Sequence, residues 1–199
     1  MCLFVEAAKA WQQLTKTRYS ITAGRKGKLY QFRLEFDNAD FPHLAGMQYA
    51  QNVDFGLHVS EYYGDKLVPA LLSGKMDGGK IEKSRSWVKI KGRLHAIISL
   101  QQTLESDFSI ALFDPAKSNS KINALYVIKN NISGETYFVF IDKDNGHRHY
   151  CKSAFAQNCI DYTKNQSLLT RLKIDKVYDG KTYPIYRHPN FKEITADIL

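Results

Sequence analysis

The chain has 199 residues, 44% of them apolar and 13% aromatic, which is enough for one well-packed core and argues for a single domain over residues 1–199. Lysine and arginine outnumber aspartate and glutamate by 28 to 20, a formal charge of +8, so the summed field attracts polyanions such as nucleic acid, although solubility alone also accounts for it. No apolar run reaches the length of a membrane span, and Glu6, Lys9 and Gln12 interrupt the first apolar residues as a signal peptide would not, so a cytoplasmic protein with no membrane partner is expected.

In chain order, Leu3, Phe4, Ala7, Ala8, Trp11 and Leu14 recur at helical spacing and predict an amphipathic helix with a core-facing stripe. Residues 19–36, "YSITAGRKGKLYQFRLEF", alternate on either side of a Gly-rich basic turn and predict a hairpin; Arg25, Lys26 and Lys28 at its tip read as a solvated loop or a phosphate-binding one. A short helix follows from Asp40 to about Gln51. A second helical pattern over "VSEYYGDKLVPALLSGKM" is cut by Pro69 and ended by Gly74.

After a loop, "SWVKIKGRLHAIISLQQTLE" places Trp87, Ile90, Leu94, Ile97 and Ile98 on one stripe behind Ser86 as N-cap, and predicts a central helix. Gly92 inside it costs helical stability and suggests a close approach of another backbone. Beyond residue 107 the period becomes two, through "SIALFD", "NALYVIK", "ETYFVFID", "HRHYCKSAF" and "RLKIDKVY", with an Asn-Gly turn in "DKDNG" and a turn of helix at "NQSLLT". The expected fold is therefore α+β, with an N-terminal helix and hairpin and helices packed on one face of an antiparallel four- to five-stranded sheet. Residues 1–106 form the helical part and 107–199 the sheet.

Within "FDNADFPHLAG", Pro42 suits a first helical turn that Asn38 or Asp40 can cap, and His43 points away from the core-facing Phe41 and Leu44. Gly46, three residues on, leaves space above the imidazole, and the helix N-terminus lowers the pKa of a nearby imidazolium and favours a phosphate. The residues alone fit either a ligand-side histidine or a half-buried one satisfied by a backbone group.

Lys80, Lys83, Arg85, Lys89, Lys91 and Arg93 stand against the single acid Glu82, the densest basic stretch present and a candidate nucleic-acid contact. Arg93 borders the apolar stripe, where its planar fork can meet a phosphate or a structural carboxylate. Lys129 ends the strand "NALYVIK", and alternation puts His147, His149, Cys151, Ser153 and Phe155 on one face.

The two histidines have no further Asp, Glu or Cys at ligand spacing, so no metal site is expected. Cys2, Cys151 and Cys159 lack paired spacing and read as reduced core thiols. P-loop, Rossmann, H-E-x-x-H and G-x-S-x-G signatures are absent from the sequence, which disfavours ATPases, dehydrogenases, zinc proteases and serine hydrolases.

The order "LEF", "DFPHLAG", "KSRSW" to "KGRL", "NALYVI", "YFVFI" and "CKSAF" resembles the fourth phage-associated group of the barnase, EndoU, colicin E5/D and RelE-like nuclease superfamily, over most of the chain. The "FPHLAG" string is its most specific part. The resemblance implies helices packed on an antiparallel sheet, and a ribonuclease without metal or cofactor, a toxin or a phage and mobile-element effector, with RNA as substrate and an antitoxin or immunity protein as a partner. It places His43 as general base or acid, Arg93 or Lys129 on the phosphate oxygens, and Ser153 as a hydrogen-bond donor to the phosphate.

Two other readings compete. One is a domain of the same fold that grips nucleic acid or a partner without turnover, and the other is a small-molecule or nucleotide-binding domain using the same pocket. A shared site requires His43, Arg93 and Ser153 to lie within about 12 Å of one another, the reach of groups acting around one phosphate.

Overall fold

The computed structural model describes residues 2–50 and 64–192. Helix α1 (Leu3–Leu14) forms as its spacing predicts and buries Phe4, Ala7, Ala8, Trp11 and Leu14. The hairpin strands β1 (Thr17–Arg25) and β2 (Lys28–Glu35) follow, joined by Lys26 and Gly27, both in the left-handed region that the tightest hairpin turn demands.

A 3-10 turn over Asn38–Asp40 leads into α2 (Phe41–Leu44), then a second 3-10 turn over Met47–Tyr49. The helix expected from Asp40 to Gln51 is thus two short pieces broken at Gly46, and Gln51 lies outside the described residues. Helix α3 (Leu67–Leu72) carries the Pro69 pattern, whose first residues are likewise outside them.

Helix α4 (Gly78–Glu82) occupies what reads as a loop. The long predicted helix is two, α5 (Trp87–Ile98) and α6 (Leu100–Glu105), meeting at Ser99. Ser86 does not cap α5 with its side chain; its hydroxyl donates instead to the Tyr49 carbonyl at 2.8 Å.

The sheet departs most from expectation. Strands β3 (Ser109–Leu112), β4 (Tyr126–Ile132), β5 (Glu135–Lys143), β6 (His149–Ala156), β7 (Ser167–Tyr178) and β8 (Lys181–Arg187) join β1 and β2 in the order β1-β2-β6-β5-β4-β3-β7-β8, and β1 also pairs β7. This is a closed mixed barrel of seven strands with β8 added on β7, not an open antiparallel sheet of four or five strands with helices on one face.

Two pairings cause the closure. Strand β1 runs antiparallel to β7 over Thr17–Gly24, and β2 joins β6 in parallel through Leu34↔His149 and Glu35↔Tyr150. The residues "SLLT" are the start of β7 rather than a helical turn, with Leu168 exposed and Leu169 buried against β3. Strand β8 tolerates Pro184 because its far side is an edge, and the ladder shifts register at Ile174/Asp175 opposite it.

The main core lies on one face of the curled sheet, where Tyr19, Ile21, Leu34, Ile128 and Ile141 meet Phe4 and Trp11 of α1 and Leu94 and Ile97 of α5. Tyr19 and Lys176, register partners across the β1–β7 closure, both bind Glu105 of α6, the phenol donating at 2.6 Å and the ammonium at 2.7 Å. On the opposite face a smaller cluster of Ala111, Phe113, Val127, Phe138 and Phe140 packs with Phe155 and Tyr162.

Trp11 fixes the corner that precedes α2. Its ring meets Phe36 edge-on at 5.5 Å and Phe41 at 5.8 Å, and its indole N–H donates to the Asp37 carbonyl at 3.1 Å. Replacing this fully buried side chain, Trp11→Ala, should cost about 3–5 kcal/mol in chemical denaturation, the range for emptying an aromatic core site.

Candidate functional site

The "FDNADFPHLAG" segment is held at both ends. Asp37 accepts the Ala39 N–H at 2.8 Å while Asp40 accepts the Asp37 N–H at 3.3 Å, so Asp37, not Asn38 or Asp40, caps the turn that leads to Pro42. Asp40 also takes both forks of Arg148, at 2.8 and 3.1 Å, and Arg148 reaches Asp144 at 3.1 Å. These bonds fasten the start of α2 to the loop between β5 and β6. That loop carries its left-handed residue at His147 rather than at Asn145 or Gly146, so it is not the two-residue Asn-Gly turn expected.

His43 is exposed between the buried Pro42 and Leu44. Desolvation, Arg93 and Lys152 together hold its imidazolium below the ordinary value of 6.5, against a smaller opposing effect of Asp40. The space expected above it is not empty: Gly46 has φ +84°, and a Cβ there would lie 2.9 Å from Arg93 Cδ and 3.3 Å from the Tyr49 ring. Gly46 is therefore the point where Arg93 of α5 passes close to the His43 segment.

A bulge aims Ser153 at the same arginine. Ile141 pairs Cys151 but Phe140 pairs Ser153, so Lys152 is an extra residue in β6 and the alternation of faces breaks there. Cys151 turns into the main core and Ser153 to the opposite face with Phe140 and Phe155, which corrects the expectation that they share a side. Arg93 Nη1 donates to Ser153 Oγ at 3.5 Å and Nη2 to Tyr49 Oη at 3.3 Å, with the guanidinium 5.3 Å from the Tyr49 ring and 5.8 Å from that of Phe155.

Among the described residues Arg93 is thus engaged by hydroxyls and rings and by no carboxylate. Lys152 pairs with Asp142, Arg171 with Asp107 and Arg187 with Asp175.

The structure therefore brings Arg93 to Ser153 and packs it against the His43 segment at Gly46, close enough for Arg93 and Lys152 to act electrostatically on His43, and it adds Tyr49 and Lys152, which sequence reasoning missed. Tyr49 gave no signal beyond its place one turn after Gly46; alternation put Lys152 only on the face opposite Ser153, since a bulge leaves no mark in it. Lys129 is not part of this group. It lies in the middle of β4 rather than at its end, bonded to Asp161 at 2.6 Å in a separate cleft with Asn130 and Thr163.

Of the basic stretch, Lys80 is on α4, Lys83 and Arg85 follow it, and Lys91 is on α5, all exposed. Only Lys89 joins Arg93 in lining a cleft, of about 650 Å³, that runs from Tyr49 to Lys121 and Phe155.

No group of three His, Cys, Asp or Glu among the described residues is placed to hold a metal ion, and His149 packs against Phe32 at 5.2 Å. Cys151 is buried, whereas Cys159 is exposed and not the core thiol expected. Among the described residues no helix is long and apolar enough to cross a membrane.

Gly46→Ala tests this geometry. It places a side chain at positive φ and against Arg93, so it should destabilise the protein by about 1–2 kcal/mol in denaturant unfolding. By displacing the guanidinium it should also raise the His43 pKa, read by NMR titration of the imidazole.

No curated protein and no solved structure was found to match the chain. A family model does: the one described as phage-Barnase-EndoU-ColicinE5/D-RelE like nuclease4 matches residues 3–186, which takes in both ends of the barrel and every side chain of the site. The chain belongs to this family of phage nucleases.

Proposed function

We propose that the protein is an endoribonuclease that cleaves RNA by driving a ribose 2′-hydroxyl onto its own phosphate, with His43 as general base and no metal ion. The observation that carries this reading is the packing of Arg93 across Gly46, three residues from His43, which sets a guanidinium with no carboxylate partner among the described residues near an imidazole whose pKa is lowered from its ordinary 6.5. A depressed pKa keeps His43 neutral near pH 7, as a base must be.

In the step proposed, His43 takes the 2′-OH proton, the 2′-oxygen attacks phosphorus, and the P–O5′ bond breaks. The products are a 2′,3′-cyclic phosphate and a 5′-oxygen that takes up a proton. Negative charge grows on the non-bridging oxygens, where Arg93 can present two N–H groups and where Ser153 and Tyr49 add hydroxyl donors. Arg93 supplies the positive charge that a metal ion provides in other nucleases.

The net charge of +8 favours a polyanionic substrate over a neutral small molecule. A toxin or effector role in the cytoplasm, countered by an antitoxin or immunity protein, extends this reading through the family's likeness to colicin and RelE nucleases.

RNA cleavage should persist in EDTA and vanish in His43→Ala; cleavage unchanged by that substitution would refute the catalytic assignment. Arg93→Gln should lower kcat by about 10²–10³-fold, the usual cost of one lost donor to a developing oxyanion. The base must be unprotonated, so kcat/KM should rise with pH along a limb whose midpoint lies below 6.5, and Lys152→Gln should move that midpoint upward by removing a cation from beside the imidazole.

A further inference from the structure

We propose that the cleft beside Arg93 seats one unpaired nucleobase of the RNA, next to the phosphate that Arg93 holds, and that Gly92 is the residue that leaves room for it. The substrate class is then single-stranded or looped RNA rather than duplex. The inference rests on the reading of the protein as an RNA nuclease and adds to it what the site selects.

Gly92 sits in the interior of the twelve-residue helix α5, where glycine is the least favourable residue apart from proline. Among the described residues nothing requires it: its φ is not positive, and a Cβ built on it meets no atom within 4 Å beyond its own helix backbone. The close backbone approach that the sequence suggests is not made by any described residue. What Gly92 does border is the cleft, between its helical neighbours Lys89 and Arg93.

The lining has the chemistry of a nucleotide. Lys89, Arg93 and Lys121 supply three cations, and no carboxylate lines the cleft among the described residues. Tyr49 and Phe155 supply rings, and Tyr49 stays 37% exposed although both Arg93 and Lys89 lie over it, the ammonium at 5.7 Å.

Val88, at the cleft wall one turn before Gly92, is 88% exposed, an apolar side chain with nothing of the described chain across it. A cleft of about 650 Å³ is of the size that accepts small ligands, and a base can enter it only when free of its partner strand.

The test measures binding, not cleavage, with a fluorescein-labelled 2′-fluoro hexanucleotide of mixed sequence that lacks the attacking hydroxyl. Gly92→Leu should weaken binding of the single strand by about tenfold or more, the size of one lost base-stacking contact, while the wild type should bind the same strand in a duplex about tenfold more weakly. Gly92→Ala, should the larger residue disturb the helix, is expected to raise the melting temperature and still reduce affinity by about two- to threefold, because only space is lost.

Single-strand binding unchanged in both variants, or duplex bound as tightly as single strand, would overturn the inference. Gly92-dependent binding without cleavage of ordinary RNA would refute the catalytic reading and leave the base seat standing. Cleavage with Gly92-independent binding would do the reverse.

Discussion

Strands β2 and β6 share two residue pairs, and just beyond them, at Lys152, β6 carries one residue more than β5 can pair. Both features follow from β6 being asked to do two things. Its first residues must close the barrel against β2, and its later ones must set a polar side chain, the buried Ser153, on the face away from the main core and against Arg93 of α5, which packs along the strand. The extra residue changes the facing of everything after it: Cys151 stays in the core, Ser153 leaves it, and Arg93 finds a hydroxyl where unbroken alternation would have hidden it. Remove the bulge and the arginine loses a partner while a serine hydroxyl enters an apolar core.

Charge is arranged around that point with equal economy. Asp40, the acid nearest to His43 in sequence, is taken up by both forks of Arg148 and by the Asp37 N–H. Its effect on the imidazole is the smallest of those named, and the cations Arg93 and Lys152 prevail. Lys129, on the same face of the sheet as Phe138, is neutralised by Asp161 and so offers a phosphate much less than Arg93 does. Among the described residues the cations nearest the site are thus paired with carboxylates, and the Arg93 guanidinium is held by neutral groups.

How much of this could be seen in the residues depends on the range of the interaction. Helices α1 and α5 and the β1–β2 hairpin were legible because periodicity and turn residues are local. The barrel was not, because closure depends on β1 finding β7, some 150 residues later, and on a parallel contact of two residues that leaves no pattern. Strand β8 was hidden by Pro184, which an edge tolerates, and the start of β7 by the adjacent Leu168 and Leu169, whose opposite exposures only the sheet reveals. At the site, His43, Arg93 and Ser153 were named by family pattern and side-chain chemistry. Tyr49 and Lys152 were not, since a 3-10 turn and a bulge are products of packing.

The two glycines of the site show why residue type alone misassigns space. Gly46 reads as a gap beside a histidine and Gly92 as a place of tight packing, and the structure exchanges the two. A glycine in the left-handed region at the end of a short helix turns the chain back on itself, so its bare side meets whatever packs there, in this case Arg93 and Ile90. A glycine within a helix keeps ordinary dihedrals, and its bare side meets only what the helix faces, here a cleft. The same missing Cβ therefore brings a guanidinium to the histidine in one case and keeps a cavity open beside that guanidinium in the other.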